Sequence, residues 1–377
     1  MSNNITKSLL NRQTGDPKFS SEYFTAANCC NENLIERFKV ERSMKIFEDD
    51  FIDDTVCGGW NTNGSLLCVG QYSKGVFIFE PYLENEQKIP ILQSSYLTDC
   101  AFIPGNKSLL AISTRNYSQD VSNEYADVFV DENLKIWDVN KCKTVKDYSF
   151  NGFVYDIIKS QFQPNLLWVS GDPETNSIFE FDCRTSVATK LLLSSNTDLR
   201  EIFYKSCFDK KPIDETTFIV SEKNKICEYD RRTMSSQSQS KPYKKTKINY
   251  GGDSSLIQLK FVPDGKNIII TKSTDFTPKN YMIGPGEIEF EIPEHVDGTI
   301  TKRFSFLGDS YVLFDTYFEN YFLIYDYKNE NSKFIGSFSI PNRDESNHNI
   351  YSMPNPRYCI IAVVNQGFIN YVTPTSF

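Results

Sequence analysis

The chain predicts an all-β fold made of copies of one unit, and three observations carry that prediction. Apolar runs of five or six residues recur from Val56 onward, separated by turns rich in Gly, Asn and Ser. Four of these runs close on an aromatic-aspartate pair, Trp137-Asp138, Phe181-Asp182, Tyr229-Asp230 and Tyr325-Asp326. Aromatic residues make up 14% of the chain, with 29 Phe and 21 Tyr, a composition that suits pleated, half-buried surfaces. Spacings of 44 and 48 residues separate Trp137, Phe181 and Tyr229, close to the ~40–45 of a four-stranded repeat. A ring of seven such repeats, a seven-bladed β-propeller, is therefore expected.

Taken in order, residues 1–33 are polar, rich in Asn, Ser and Thr, and read as a mobile arm. Residues 34–47 fit either a strand or a helical turn. We favour a strand that pairs with the last blade, because a ring needs its ends fastened. Blade 1 reads VCGGW, SLLCVGQ and VFIFE, and blade 2 repeats the grammar as LTDCAFIP, SLLAIST and LKIWDV. Between the last two of these, residues 115–132 form an insert with five acids, Asp120, Glu124, Asp127, Asp131 and Glu132. It is expected as a long, partner-accessible loop.

Blade 3 follows as FVYDIIKSQ, NLLWVSG and SIFEFDCRT, and blade 4 as EIFYKSCF, TTFIVSE and KICEYDRRT. Residues 231–250 join a Ser-Gln run to KPYKKTK around Tyr243 and read as a solvated loop between blades. Blade 5 turns at Pro263-Asp264-Gly265, where Pro presets the first dihedral and Gly takes the positive one. Blades 6 and 7 complete the ring, so that third strands end near Phe79, Trp137, Phe181, Tyr229, Met282, Tyr325 and Asn370. The propeller thus spans residues 34–377.

Composition bounds the function. A net charge of −9 and a pI near 5.0 argue against direct nucleic-acid binding, which needs a basic face. None of the ten Cys lies in a C-x-x-C pair, and most sit in apolar runs, as small buried hydrophobes of a reducing compartment do. No run has the length of a membrane span and the first thirty residues lack a signal-peptide core, so a nuclear or cytoplasmic location is expected.

His295 and His348 are the only histidines, and neither lies at ligand spacing from another His or a Cys pair, so no metal or other cofactor is expected. The chain has no G-x-S-x-G elbow and no G-x-x-x-x-G-K-[ST] loop, and a non-catalytic protein is the reading. The aspartates Asp138, Asp182, Asp230 and Asp326 are expected to accept hydrogen bonds from the turn that follows them.

The Trp-Asp pair at the end of LKIWDV, with its degenerate copies, resembles the WD40 repeat superfamily over residues 35–377. Two pairs continue to arginine, Asp182-Cys183-Arg184 and Asp230-Arg231-Arg232, similar to the WD-x-R box of cullin-RING ubiquitin-ligase substrate receptors. That resemblance implies adaptor binding through Arg184 and Arg232, and a guanidinium fork suits a bidentate carboxylate contact.

A second resemblance is to the propeller subunit of COMPASS-type histone methyltransferases, the retinoblastoma-binding-protein-five family. It rests on the leader Asn33-Leu34-Ile35-Glu36-Arg37-Phe38, on LKIWDV, on the segment from Phe150 to Pro164, on LIQLKFVPDGKNIII and on the blade-6 sequence. It implies a scaffold in a nuclear chromatin-modifying complex, with a methyltransferase and further WD40 proteins as partners. Members of that family continue into an acidic, hydrophobic tail, whereas this sequence stops at Phe377. The implied role is therefore scaffolding without the activating segment.

Overall fold

The computed structural model describes residues 38–46, 56–71, 75–80, 85–89, 95–118, 128–150, 156–160, 162–170, 177–185, 187–193, 208–222, 225–247, 255–274, 277–284, 288–291, 301–308, 311–316, 321–327, 333–340, 350–356, 360–365 and 367–374. They form seven antiparallel four-stranded sheets, the expected seven-bladed propeller. Blades 1 to 3 begin with the strands Val56–Trp60, Ser95–Phe102 and Ile157–Lys159. Blades 4 to 7 begin with Phe208–Lys210, Ser255–Phe261, Thr301–Leu307 and Ile350–Pro354. These first strands lie around the centre, and blades 1 to 6 then step outward in chain order.

The ring closes where sequence predicts. Phe38–Lys45 pairs with Phe368–Pro374 as the outer strand of blade 7, from Phe38 opposite Pro374 to Lys45 opposite Phe368, with a bulge at Glu41. Its side chains alternate buried and solvated, which settles the choice between helix and strand for this stretch. Trp60 of blade 1 adds a clasp, donating from Nε1 to the Met353 carbonyl of blade 7 at 2.7 Å.

All seven joints between neighbouring blades are filled by apolar clusters, one per joint. The middle strands therefore meet a neighbour on both faces, which is why LCVGQ and LLWVS are buried throughout and read as unbroken apolar runs. The aromatic members of the terminal pairs obey one rule. Trp137, Phe181, Tyr229 and Tyr325 each insert into the joint with the preceding blade, and all but Trp137 are fully buried.

Facing sheets cannot share backbone ladders, so side chains lace the inner strands together. Asp99 accepts the Ile157 N–H at 2.8 Å, joining blades 2 and 3, and Asp209 accepts the Phe261 N–H at 2.8 Å, joining blades 4 and 5. Gln258 both donates to the Phe304 carbonyl and accepts its N–H, joining blades 5 and 6.

Four expectations change or fall away in detail. The stretch 115–132 is not wholly a loop: Leu109–Ser118 and Val128–Asp138 run on as a hairpin, pairing Arg115 with Glu132 and Ser118 with Val128. Within 231–250, Lys244–Lys247 is the outer strand of blade 4, with alternate residues half-buried and exposed. The third strand of blade 7 continues past Asn370 to Pro374. The arm 1–33, both histidines, and Asp120, Glu124 and Asp127 lie outside the described residues.

Two measurements check these joints. Phe38 is 4% exposed and packs against Phe338 at 6.0 Å between ring centroids. Phe38→Ala is expected to lower the unfolding free energy by about 3–5 kcal/mol in urea titration. Desolvation pushes the Asp209 carboxyl from 3.8 up to about 6, against the opposing pull of Lys260 and the Phe261 and Lys210 amides. The folded chain then takes up that proton more readily than the unfolded chain, so this group's contribution to stability falls as pH rises from about 4 to about 6. Asp209→Asn keeps an oxygen for the Phe261 N–H and removes the fall. Relative to wild type, the urea midpoint of the variant should therefore climb across that window.

Candidate functional site

An antiparallel sheet reverses direction at every strand, so the turns after first and third strands emerge at one end of the ring. Among the described residues, the turns after the first strands follow one pattern. The residue entering the turn and the residue leaving it share a backbone hydrogen bond, as in Asn61 to Leu66, Ser160 to Leu166, Lys211 to Thr217 and Val262 to Asn267. One residue inside takes the left-handed conformation: Gly64, Gly105, Asn165, Glu215 and Gly265 in blades 1 to 5. Glu215 is the exception in chemistry, since a glutamate gains nothing from φ +51 unless its side chain is held.

It is held by a buried network. Glu215 and Lys210, each 5% exposed, form an ion pair. Glu215 also accepts the Ser160 hydroxyl from blade 3 at 2.5 Å, and the Lys210 ammonium lies 5.5 Å from the centre of the Trp168 ring. The first turns of blades 3 and 4 are thereby stitched together. Two residues beyond Ser160 stands Phe162, 58% exposed, and two residues before Glu215 stands Ile213, 54% exposed. Ile213 rests over Gly265 of the blade-5 turn, where an added Cβ would come within 2.8 Å of its Cδ1.

Three more large apolar side chains are exposed among the described residues: Val145, Val187 and Tyr243. They stand at or beside the starts of the outer strands of blades 2, 3 and 4, at the same end of the ring. Tyr243 is fixed by donating to Glu228 at 2.8 Å, and desolvation raises its hydroxyl to about 12. All five exposed apolar groups thus belong to one end of blades 2 to 4.

The aspartates of the terminal pairs organise the turns between them. Asp138 accepts the Asn140 and Lys141 N–H groups at 3.0 and 3.2 Å and pairs with the Lys141 ammonium at 3.1 Å. Asp182 accepts the Arg184 N–H at 2.9 Å and is gripped by Nε and Nη2 of the same arginine at 3.2 and 2.9 Å. Asp230 repeats this with Arg232, at 3.0 Å for the N–H and at 3.0 and 2.6 Å for Nε and Nη2. The arginine side-chain bonds hold Asp182 and Asp230 below the usual carboxylate range and raise both guanidinium groups. Asp326 ends the third strand of blade 6 beside the buried Tyr325.

Arg184 and Arg232 are therefore turn staples, yet their side chains remain 68% and 73% exposed. Arg231, between them, pairs instead with Glu180 of blade 3. The structure adds Phe162, Ile213, Val187 and the Lys210–Glu215–Ser160 network to the residues singled out by sequence. The signal for Phe162 and Ile213 was an apolar residue inside a polar turn, outside any strand period.

Among the described residues no group of three His, Cys, Asp or Glu side chains is arranged to hold a metal ion, and no helix is long and apolar enough to cross a membrane. Cys57, Cys68, Cys100, Cys183 and Cys227 are buried thiols, and Cys142 is exposed in a turn.

The network has a measurable signature. Glu215→Ala leaves Lys210 buried without its counter-ion and is expected to lower stability by about 3–5 kcal/mol. Lys210→Met combined with Glu215→Gly should recover at least half of that loss in the same urea titration, since Met packs on Trp168 and Gly accepts the positive φ.

No family model matches the sequence. No curated protein matches it either. Among solved structures, the β-propeller domain of Cps50 (Swd1) from Myceliophteria thermophila aligns with 89% of this chain and all of its own length, at TM-score 0.62 and 13% identity. A chain of the mitotic checkpoint complex aligns with 90% of this chain and 92% of its own length, at TM-score 0.62 and 14% identity. This chain has the fold of a seven-bladed β-propeller.

Proposed function

We propose that the chain is a non-catalytic propeller scaffold that holds other proteins in a multisubunit complex, and that the complex is a nuclear histone methyltransferase assembly of the COMPASS type. The scaffold reading is carried by one observation, the gathering of Phe162, Ile213, Val145, Val187 and Tyr243 on one end of blades 2 to 4. Exposed apolar groups are unremarkable one by one, but the five among the described residues all stand in one sector of a rigid ring, which suits docking of a protein. A ring already ordered by seven packed joints loses little freedom when it binds.

The choice of complex rests on the sequence resemblance in the leader, LKIWDV and the blade-5 and blade-6 segments. The Swd1 domain and the checkpoint-complex chain stand at equal TM-scores and support the architecture common to both. The ubiquitin-ligase receptor reading rests on the sequence resemblance at Arg184 and Arg232 alone.

Affinity purification of the tagged chain from its own cells, followed by mass spectrometry, tests the proposal. A SET-domain methyltransferase together with further propellers is expected, and a nuclear signal from a fluorescent fusion should accompany it. Recovery of a cullin adaptor, or of a stable complex without any methyltransferase, would replace this assignment.

A further inference from the structure

We infer that the blade 2–4 end of the ring docks an acidic, apolar polypeptide segment, with Phe162 and Ile213 as the apolar anchors and Arg184 and Arg232 as carboxylate clamps. The inference deepens the scaffold reading and rests on it. Charge supplies the partner's chemistry. The whole chain carries a net charge of −9, yet the exposed charged turn residues of this sector are basic apart from Asp214. Lys107, Lys141, Arg184, Arg232 and Lys241 are all exposed there. Asp138, Asp182 and Asp230 are consumed by their own turns and Glu215 in the buried network, while Asp214, the exposed acid beside Ile213, accepts the Thr216 N–H and hydroxyl at 2.9 Å and lies 3.9 Å from Lys211. An apolar surface rimmed by cations on an otherwise acidic protein complements a segment in which Asp or Glu alternates with Phe, Leu or Trp.

The arginine geometry sharpens this. A guanidinium has five N–H donors in a fixed fork. Arg184 and Arg232 each give the Nε–Nη2 edge to the aspartate two residues earlier, which leaves Nη1 and the far proton of Nη2 directed away from it. A partner carboxylate can take that second pair end-on without displacing the first. Because the aspartate already fixes the side chain, the contact orders few additional rotors, and binding loses less entropy than it would with a free surface arginine. The Ser160–Glu215 bond does the same for the anchors by tying the turn of Phe162 to the turn of Ile213.

The test pans a random twelve-residue phage peptide library on the full-length chain and measures the selected peptides by fluorescence anisotropy. Enriched sequences should mix Asp or Glu with Phe, Leu or Trp, and their affinity should fall with added salt. Phe162→Ser with Ile213→Ser should weaken the best peptide by more than about tenfold. Arg184→Lys with Arg232→Lys, which keeps the charge and removes the fork, should weaken it about fivefold.

All four positions are exposed, so melting temperatures should stay within about 3 °C of wild type and confirm that folding is intact. Enrichment of neutral or basic peptides, binding indifferent to both double variants, or no enrichment at all would overturn the inference. So would binding of a 20-base-pair DNA duplex with the same dependence on Arg184 and Arg232. Retention of the Phe162→Ser, Ile213→Ser chain in a purified methyltransferase complex would remove this surface while leaving the scaffold. Selective acidic-peptide binding by a chain that purifies without a methyltransferase would retain the surface and remove the proposed complex.

Discussion

Every joint in the ring is a face-to-face contact between sheets, and such contacts have no backbone ladder to hold them. That constraint explains most of the sequence. Each blade must be apolar on both faces of its middle strands, which accounts for the continuous runs around Val69, Val169 and Val220 and for aromatic residues as the joint fillers. It also explains why polar side chains appear on the inner strands at all. Asp99, Asp209 and Gln258 supply, between blades, the hydrogen bonds that the sheet edges cannot. Closure by Phe38–Lys45 makes these joints mutually dependent, because opening any one of them exposes the faces of two blades.

A closed ring with equivalent joints leaves its individuality to the turns. Blades 1 to 5 use the same left-handed step in the first turn, and glycine fills it in blades 1, 2 and 5 at no steric cost. Blades 3 and 4 depart from that rule with Asn165 and Glu215, and the departures fall where the exposed apolar side chains stand. Asn tolerates the conformation through its short polar side chain, and the Asn165 N–H reaches the Pro104 carbonyl of blade 2 at 2.9 Å. Glu215 has no such intrinsic tolerance and depends on Lys210 and Ser160. Backbone strain and a buried ion pair are both unfavourable taken singly, and their coincidence at one turn marks it as specified for its position.

The sequence made the middle of each blade legible and its edges illegible, for a physical reason. Second and third strands are buried on both faces, so LLWVS, TFIVSE and YFLIYD announce themselves by hydrophobicity alone. Outer strands have a free edge, and KKTK also has one face in water, so that the polarity of NEQKI and KKTK resembles that of a loop. KPYKKTK reads as a loop for that reason, although Lys244–Lys247 alternates half-buried and exposed residues as a strand does. Similarly, the acids around residue 131 suggested a loop where the hairpin of blade 2 simply runs on beyond the ring. The turn residues Phe162 and Ile213 carry no periodic signal at all, and Glu215 and Ser160 lie 55 positions apart, so only the folded ring brings their turns together.

The buried network also bears on how this sector keeps its apolar side chains apart. Apolar side chains in mobile turns would collapse onto one another or onto neighbouring molecules, hiding the surface or aggregating it. Stitching the turns through Ser160, Glu215 and Lys210 denies Phe162 and Ile213 that freedom, and the Gly265 turn gives Ile213 a surface to rest on without a side chain in the way. The arginine-aspartate staples act alike at the rim, holding exposed cations at the same end of the ring. The cost of a strained, charged interior at one turn is therefore matched by an exterior whose anchors are apart, fixed and solvated at their margins. That arrangement favours recognition by a complementary charged segment over self-association of the ring.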